Sequence, residues 1–123
     1  GYAGEAQTKE GIKYVYDLYN YIIDPHTAVA FSVYKSYAQI YSDETKTVIA
    51  STASPFKFTS SVISSITDKE YNLNDFELIK MLGEYYNGKI PIAVKNIDKR
   101  PVIHKTICKK ENMKQEIVKV LNI

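Results

Sequence analysis

Lys46-Thr47-Val48-Ile49-Ala50-Ser51-Thr52-Ala53-Ser54-Pro55-Phe56-Lys57-Phe58 is the stretch on which the fold class turns. Its first residues are β-prone and continuously apolar at Val48, Ile49 and Ala50, the pattern of a short parallel strand covered on both faces. Ser54 is suited to cap a helix that Pro55 begins, because the amide that proline lacks has no helical partner at that position. The stretch therefore predicts a strand over 46–51, a turn, and a helix from Pro55 to about Thr67. In an α/β sheet, ligands collect beyond the carboxyl ends of strands, so Ser51, Thr52 and Ser54 stand where a ligand would sit. The residues alone leave a plainer alternative open, in which Thr52 and Ser54 only satisfy the turn and cap the helix.

Upstream, Asp24-Pro25-His26-Thr27-Ala28-Val29 repeats the pattern of a polar cap followed by proline. It predicts a second helix start, with Asp24 as the cap and the helix running to about Tyr41. Both segments place hydroxyls and free backbone N–H groups together, and we read them as two halves of one site. For His26, in the first helical turn, the helix dipole disfavours an imidazolium. Two readings stay open for it: a structural histidine hydrogen-bonded nearby, or a residue close to substrate or cofactor.

The remaining segments are read outward from this pair. Residues 1–7 carry no periodic signal and are expected to be a tag scar or linker. A helix capped by Thr8 runs to about Asn20, with Ile12, Val15, Tyr16 and Tyr19 on its apolar stripe. Tyr14, Tyr16, Tyr19 and Tyr21 crowd this region, which suggests a wet interface or a surface abutting further protein. Within the helix from Pro55, Val62, Ile63 and Ile66 oppose a serine-rich side at Ser60, Ser61, Ser64 and Ser65. Asn74-Asp75-Phe76-Glu77 has the capping-box pattern, opening a helix expected to end at Gly88. A proline-bounded loop, a second strand over 102–108, and a terminal helix with Met113, Ile117, Val120 and Leu121 inward complete the chain. The sum is an α/β fold of about five helices with two short strands.

Composition narrows the function classes. The 123 residues suit one domain spanning 1–123 with one modest core. The chain begins at Gly1 rather than Met, which leads us to expect a processed or cut-out piece of a larger protein. No run approaches the roughly 18 apolar residues of a membrane span, so no membrane partner is expected. With 16 Lys and Arg against 14 Asp and Glu, the net charge of +2 is too balanced to point to nucleic acid. Cys108 is the only cysteine and the two histidines are far apart in sequence, so neither a disulfide nor a metal site is expected. A reduced, cytoplasmic setting fits this usage.

The Asp24-to-Val29 segment, followed two dozen residues later by a strand-like run into Thr52-Ala53-Ser54-Pro55-Phe56-Lys57-Phe58, resembles the C-terminal part of threonine synthases. The likeness is strongest over 12–66 and extends more loosely to Ile123. Ser54 stands where a histidine is common in that family. The resemblance implies a fold-type-II pyridoxal-phosphate enzyme of the tryptophan-synthase-β-like fold, a cytoplasmic lyase of threonine biosynthesis. It implies conversion of O-phospho-L-homoserine and water to L-threonine and phosphate. It also implies that Thr52 hydrogen-bonds the pyridine nitrogen of the cofactor. Lys57, in the turn after Pro55, is a candidate to approach a phosphate; Ser51, Ser54 and His26 are supporting candidates.

The family's Schiff-base lysine lies in a Phe-Lys-Asp context in its N-terminal part, so Lys57 is not its counterpart. The five glycines, at 1, 4, 11, 83 and 88, form no phosphate cradle. We therefore expect no catalytic residue in this chain, no cofactor bound to it alone, and no activity alone. Its expected partner is the N-terminal remainder of the same enzyme, with homodimerisation through exposed apolar faces as a second possibility. Two other readings stay open at this stage: a non-catalytic α/β interaction module, which would cover its own strand, and a related pyridoxal-phosphate lyase.

Overall fold

Capping chemistry and apolar spacing build an all-helical body. The computed structural model describes residues 1–87 and 89–123, and its regular elements are five α-helices and three single turns of 3-10 helix. The helices are α1 (Glu5–Tyr19), α2 (Pro25–Tyr41), α3 (Thr59–Thr67), α4 (Asp75–Tyr85) and α5 (Met113–Leu121). Helix α1 starts earlier than the expected Thr8 cap. The Gln7 side chain takes the Gly4 N–H at 2.8 Å and the Thr8 hydroxyl donates to the Gly4 carbonyl at 2.9 Å, so residues 5–7 are helical rather than linker.

The starts of α2 and α4 follow the sequence reading. The Asp24 side chain accepts from the His26 N–H, and Pro25 is the first helical residue. At α4, Asn74 and Glu77 form a reciprocal capping box. The helix expected from Pro55 is interrupted. A 3-10 turn at Pro55–Lys57 is separated from α3 by Phe58, whose φ of −133° and ψ of 40° lie outside the helical region. Helix α4 stops at Tyr85; the expected stop at Gly88 lies outside the described residues.

Helix α1 packs between α2 and α3, and α3 packs in turn on α4. Ile12, Val62, Ile63 and Leu82 are fully buried at the centre, with Phe56 closing one end edge-on to Tyr86 at 5.5 Å between ring centroids. The close approach of α1 and α2 depends on Gly11: a Cβ there would stand 2.8 Å from Ser32 Oγ and 3.4 Å from the Ala28 carbonyl oxygen. Lys13 ties α1 to the end of α3, with Nζ 3.1 Å from the Asp68 carboxylate and 3.2 Å from the Ile66 carbonyl. The serine face of α3 is half buried. Ser64 and Ser65 turn their hydroxyls back onto the Ser61 carbonyl at 3.1 and 2.6 Å, which meets their hydrogen-bonding need inside the helix.

The expected α/β class is not what forms: there is no strand among the described residues. Residues 46–51 run without regular structure and Val48 is 94% exposed; in the second expected strand Ile107 is 95% exposed. The physical reason is that a β-prone run becomes a strand only by pairing, and neither segment has a neighbour with which to form a ladder. The terminal helix forms, but Met113, Ile117, Val120 and Leu121 are exposed, because α5 lies outside the packing of α1–α4 and buries none of its residues. Among the described residues no helix is long and apolar enough to cross a membrane.

Because Gly11 sits where helix backbones nearly touch, Gly11→Val should cost about 1–3 kcal/mol in a urea unfolding experiment, the usual scale of overpacking. A variant as stable as the parent would remove the close-approach role of this glycine.

Candidate functional site

The cap of α2 is also the meeting point of the two segments singled out in the sequence. Asp24 is fully buried. Its Oδ1 accepts from the His26 N–H at 2.9 Å and lies 3.0 Å from His26 Nδ1, while its Oδ2 accepts from the Thr27 hydroxyl. Thr27 Oγ1 lies 3.0 Å from Ser51 Oγ, a bridge across 24 positions of sequence. His26 closes a second link by packing its ring against Phe58, 5.0 Å between centroids.

Hydrogen counting sets the direction of this network. A carboxylate can only accept, so the single hydroxyl hydrogen of Thr27 goes to Asp24 and the Ser51 hydroxyl donates to Thr27. Ser51 Oγ keeps its lone pairs for the outside. By the same argument the hydrogen of the His26 ring resides on Nδ1, leaving Nε2 facing away from the carboxylate. Burial by itself pushes the Asp24 carboxyl up. The Thr27 hydroxyl and the His26 amide and ring outweigh that and hold it below its ordinary value of 3.8.

The other sequence-picked residues are distributed around this bridge. Ser54 caps the 3-10 turn, accepting from the Phe56 N–H at 3.3 Å. Thr52, between the Ser51 bridge and the Ser54 cap, is exposed, and its hydroxyl has no hydrogen-bond partner among the described residues. Ser51 borders a small apolar cavity of about 240 Å³ with Ile23, Thr27, Phe31 and Ile49. Lys57 does not share that cavity. It lines an open cleft of about 1000 Å³ that Pro25 and Phe58 border, where Lys9, Glu70 and Asp75 also stand and Lys9 pairs with Glu70 at 3.5 Å. Charges of both signs in that cleft give Lys57 no concentrated positive field. The bridge thus joins His26, Ser51 and, through the chain, Thr52 and Ser54, while Lys57 lines a different cleft, bordered by Pro25 and Phe58 of the same two segments.

Thr27 received no role in the sequence reading, and Asp24 was seen only as a cap. A threonine three positions after an aspartate cap was the available signal, since that spacing returns a hydroxyl to the cap carboxylate. No group of three or more His, Cys, Asp and Glu side chains among the described residues is arranged to hold a metal ion.

Asp24→Ala leaves the Thr27 and His26 donors without their acceptor and should destabilise the chain by about 2–4 kcal/mol, combining a lost cap with lost charge-assisted hydrogen bonds. The lowered carboxyl sets the sign of the pH dependence. The stabilisation from ionised Asp24 is fully present above its ordinary unfolded value, and it is lost as pH falls through the lower folded value. Parallel acid titrations of the parent and Asp24→Ala, followed by circular dichroism, should show the stability gap closing only in the acid range. A gap that persists unchanged there would separate the effect from ionisation.

The sequence profile of the family described as threonine synthase, C-terminal, matches residues 27–120. That span takes in α2 from Thr27 onward, the 46–54 segment with Ser51 and the Ser54 cap, α3, α4 and nearly all of α5, and begins just after Asp24 and His26. The chain belongs to the threonine synthase C-terminal family.

Proposed function

We propose that this chain is the C-terminal part of a cytoplasmic threonine synthase that converts O-phospho-L-homoserine and water to L-threonine and phosphate, and that Thr52 is its contact to the cofactor. Family membership supports the threonine-forming lyase activity of the whole enzyme and its use of pyridoxal phosphate. The observation that carries the reading to a residue is the Thr27–Ser51 bridge, because it leaves the neighbouring Thr52 hydroxyl exposed and, among the described residues, unpartnered beside an anchored serine.

These residues fit one edge of the cofactor and no more. Thr52 offers a hydroxyl free to engage a ring nitrogen, whereas the described residues near it supply no lysine and no cluster of backbone amides for a phosphate. When bound, pyridoxal phosphate supplies an electron sink for charge that develops beside the substrate amine. A neutral hydroxyl at its ring nitrogen would not hold a proton there as firmly as a carboxylate, so Thr52 would temper that sink. Ser51 and Ser54 would keep the Thr52 backbone in place, and His26, packed on Phe58, would close the wall between the two segments.

The apolar side chains left at the surface support a partner formed by the remainder of the enzyme. Val48, Tyr19, Ile40 and Tyr41 are all exposed next to this site or on the helices that flank it. A self-contained binding module would have less reason to leave such residues uncovered. In this reading the chain by itself is inactive, since the cofactor-anchoring lysine and the phosphate-binding loop belong to the remainder.

The decisive experiment mixes this chain with the separately expressed N-terminal remainder and measures phosphate release from O-phosphohomoserine. Activity on mixing only, lost in Thr52→Ala, is the expected result. A folded, cofactor-loaded complex that releases no phosphate would overturn the proposal in favour of another lyase of the family's wider class. Thr52→Asp places a carboxylate at the ring nitrogen and should change the ratio of products formed, measured by chromatography, more than it changes cofactor affinity. An unchanged ratio would remove the reason for assigning Thr52 this contact.

A further inference from the structure

We propose that Asp24 and Thr27 are positioning residues that act through Ser51 to hold Thr52 in place, an inference that rests on the cofactor-facing role proposed for Thr52. Residues 46–54 form no regular element, so no backbone ladder fixes them. Two side-chain tethers do so instead: Ser51 to Thr27, and Ser54 to the Phe56 N–H. Thr52 and Ala53 are the only residues between them. The downstream tether is local, spanning two positions, and moves with its own turn. The upstream tether reaches across 24 positions to the start of α2, where it ends on a carboxylate with no exposed surface.

The order of the relay makes the tether specific. Asp24 accepts from Thr27, Thr27 accepts from Ser51, and each hydroxyl has one hydrogen to give, so there is a single arrangement in which all three groups are satisfied. Removing the Thr27 hydroxyl therefore breaks the connection between the buried anchor and the exposed segment. Thr27→Ser keeps the hydroxyl and should keep the connection. Without the tether, Ser51 and Thr52 should behave like Thr47 and Val48, which are exposed and, among the described residues, have no side-chain link to the helical body.

Backbone ¹⁵N relaxation on this chain reads the tether without reference to activity. In the parent, Ser51 and Thr52 should have order parameters near those of rigid backbone, about 0.85, and in Thr27→Val or Ser51→Ala these should fall toward about 0.6. Thr27→Ser should restore them. Ser51 is exposed, so Ser51→Ala serves where Thr27→Val disturbs folding. Order parameters that stay unchanged in Ser51→Ala overturn the tether. In the full-length enzyme, Thr27→Val should lower kcat for phosphate release about ten- to a hundredfold with the serine variant restoring it, the scale expected of a misplaced catalytic contact. A tether lost with kcat unchanged overturns the positioning role. Thr52→Ala then separates the two ideas: if it lowers kcat, only the relay has failed, and if it does not, the Thr52 assignment has failed as well.

Discussion

The structure depends on a carboxylate taken entirely out of water. Burying Asp24 is unfavourable unless its oxygens are supplied with donors, and α2 brings those donors with it: the His26 amide, the His26 ring and the Thr27 hydroxyl all fall within its first turn. The start of the helix and the ionised state of its cap are therefore one requirement. Ile22, Ile23 and Ala28, buried on either side of the acid, seat this turn in the core, so the hydrophobic body and the polar network fix each other's position.

What the sequence made legible was local. Proline after a polar cap marked α2 to the residue, and the Asn74–Glu77 pair marked the start of α4, because capping is decided by side chains within a few positions of the amides they serve. The apolar positions Ile12, Val62 and Ile63 were similarly readable from helical periodicity. Pairing was not legible. Val48-Ile49-Ala50 and Val102-Ile103 have the composition of strands, but a strand is a relation between segments, and the partner is not encoded in the run itself. The same holds for α5, whose apolar face was read correctly as a face while its expected place in the core was not.

The candidate site divides along the same line. His26, Ser51 and Ser54 could be singled out by type and position, and the structure brings the two segments that hold them against each other. The agent that joins them, Thr27, was overlooked because its contact lies 24 residues away. Lys57 was proposed from its neighbourhood in sequence, next to a helix-starting proline; the fold adds Lys9, Glu70 and Asp75 to the cleft it lines, none of them near it in sequence. A residue's chemistry can be read from its type, whereas its neighbours depend on how distant parts of the chain are folded together.

The bridge from Thr27 to Ser51 also encloses α2 and the irregular connection that follows it. That connection, from Ser42 to Ala50, is secured at one end by a helix and at the other by a hydroxyl, and it buries no residue. Closing a flexible loop becomes costlier only slowly with length, by about 0.6 kcal/mol for each doubling. The span between Asp43 and Val48 is thus free to lengthen or shorten without disturbing either anchor, making it the natural place for insertions and for evolutionary change in the surface bordering the site.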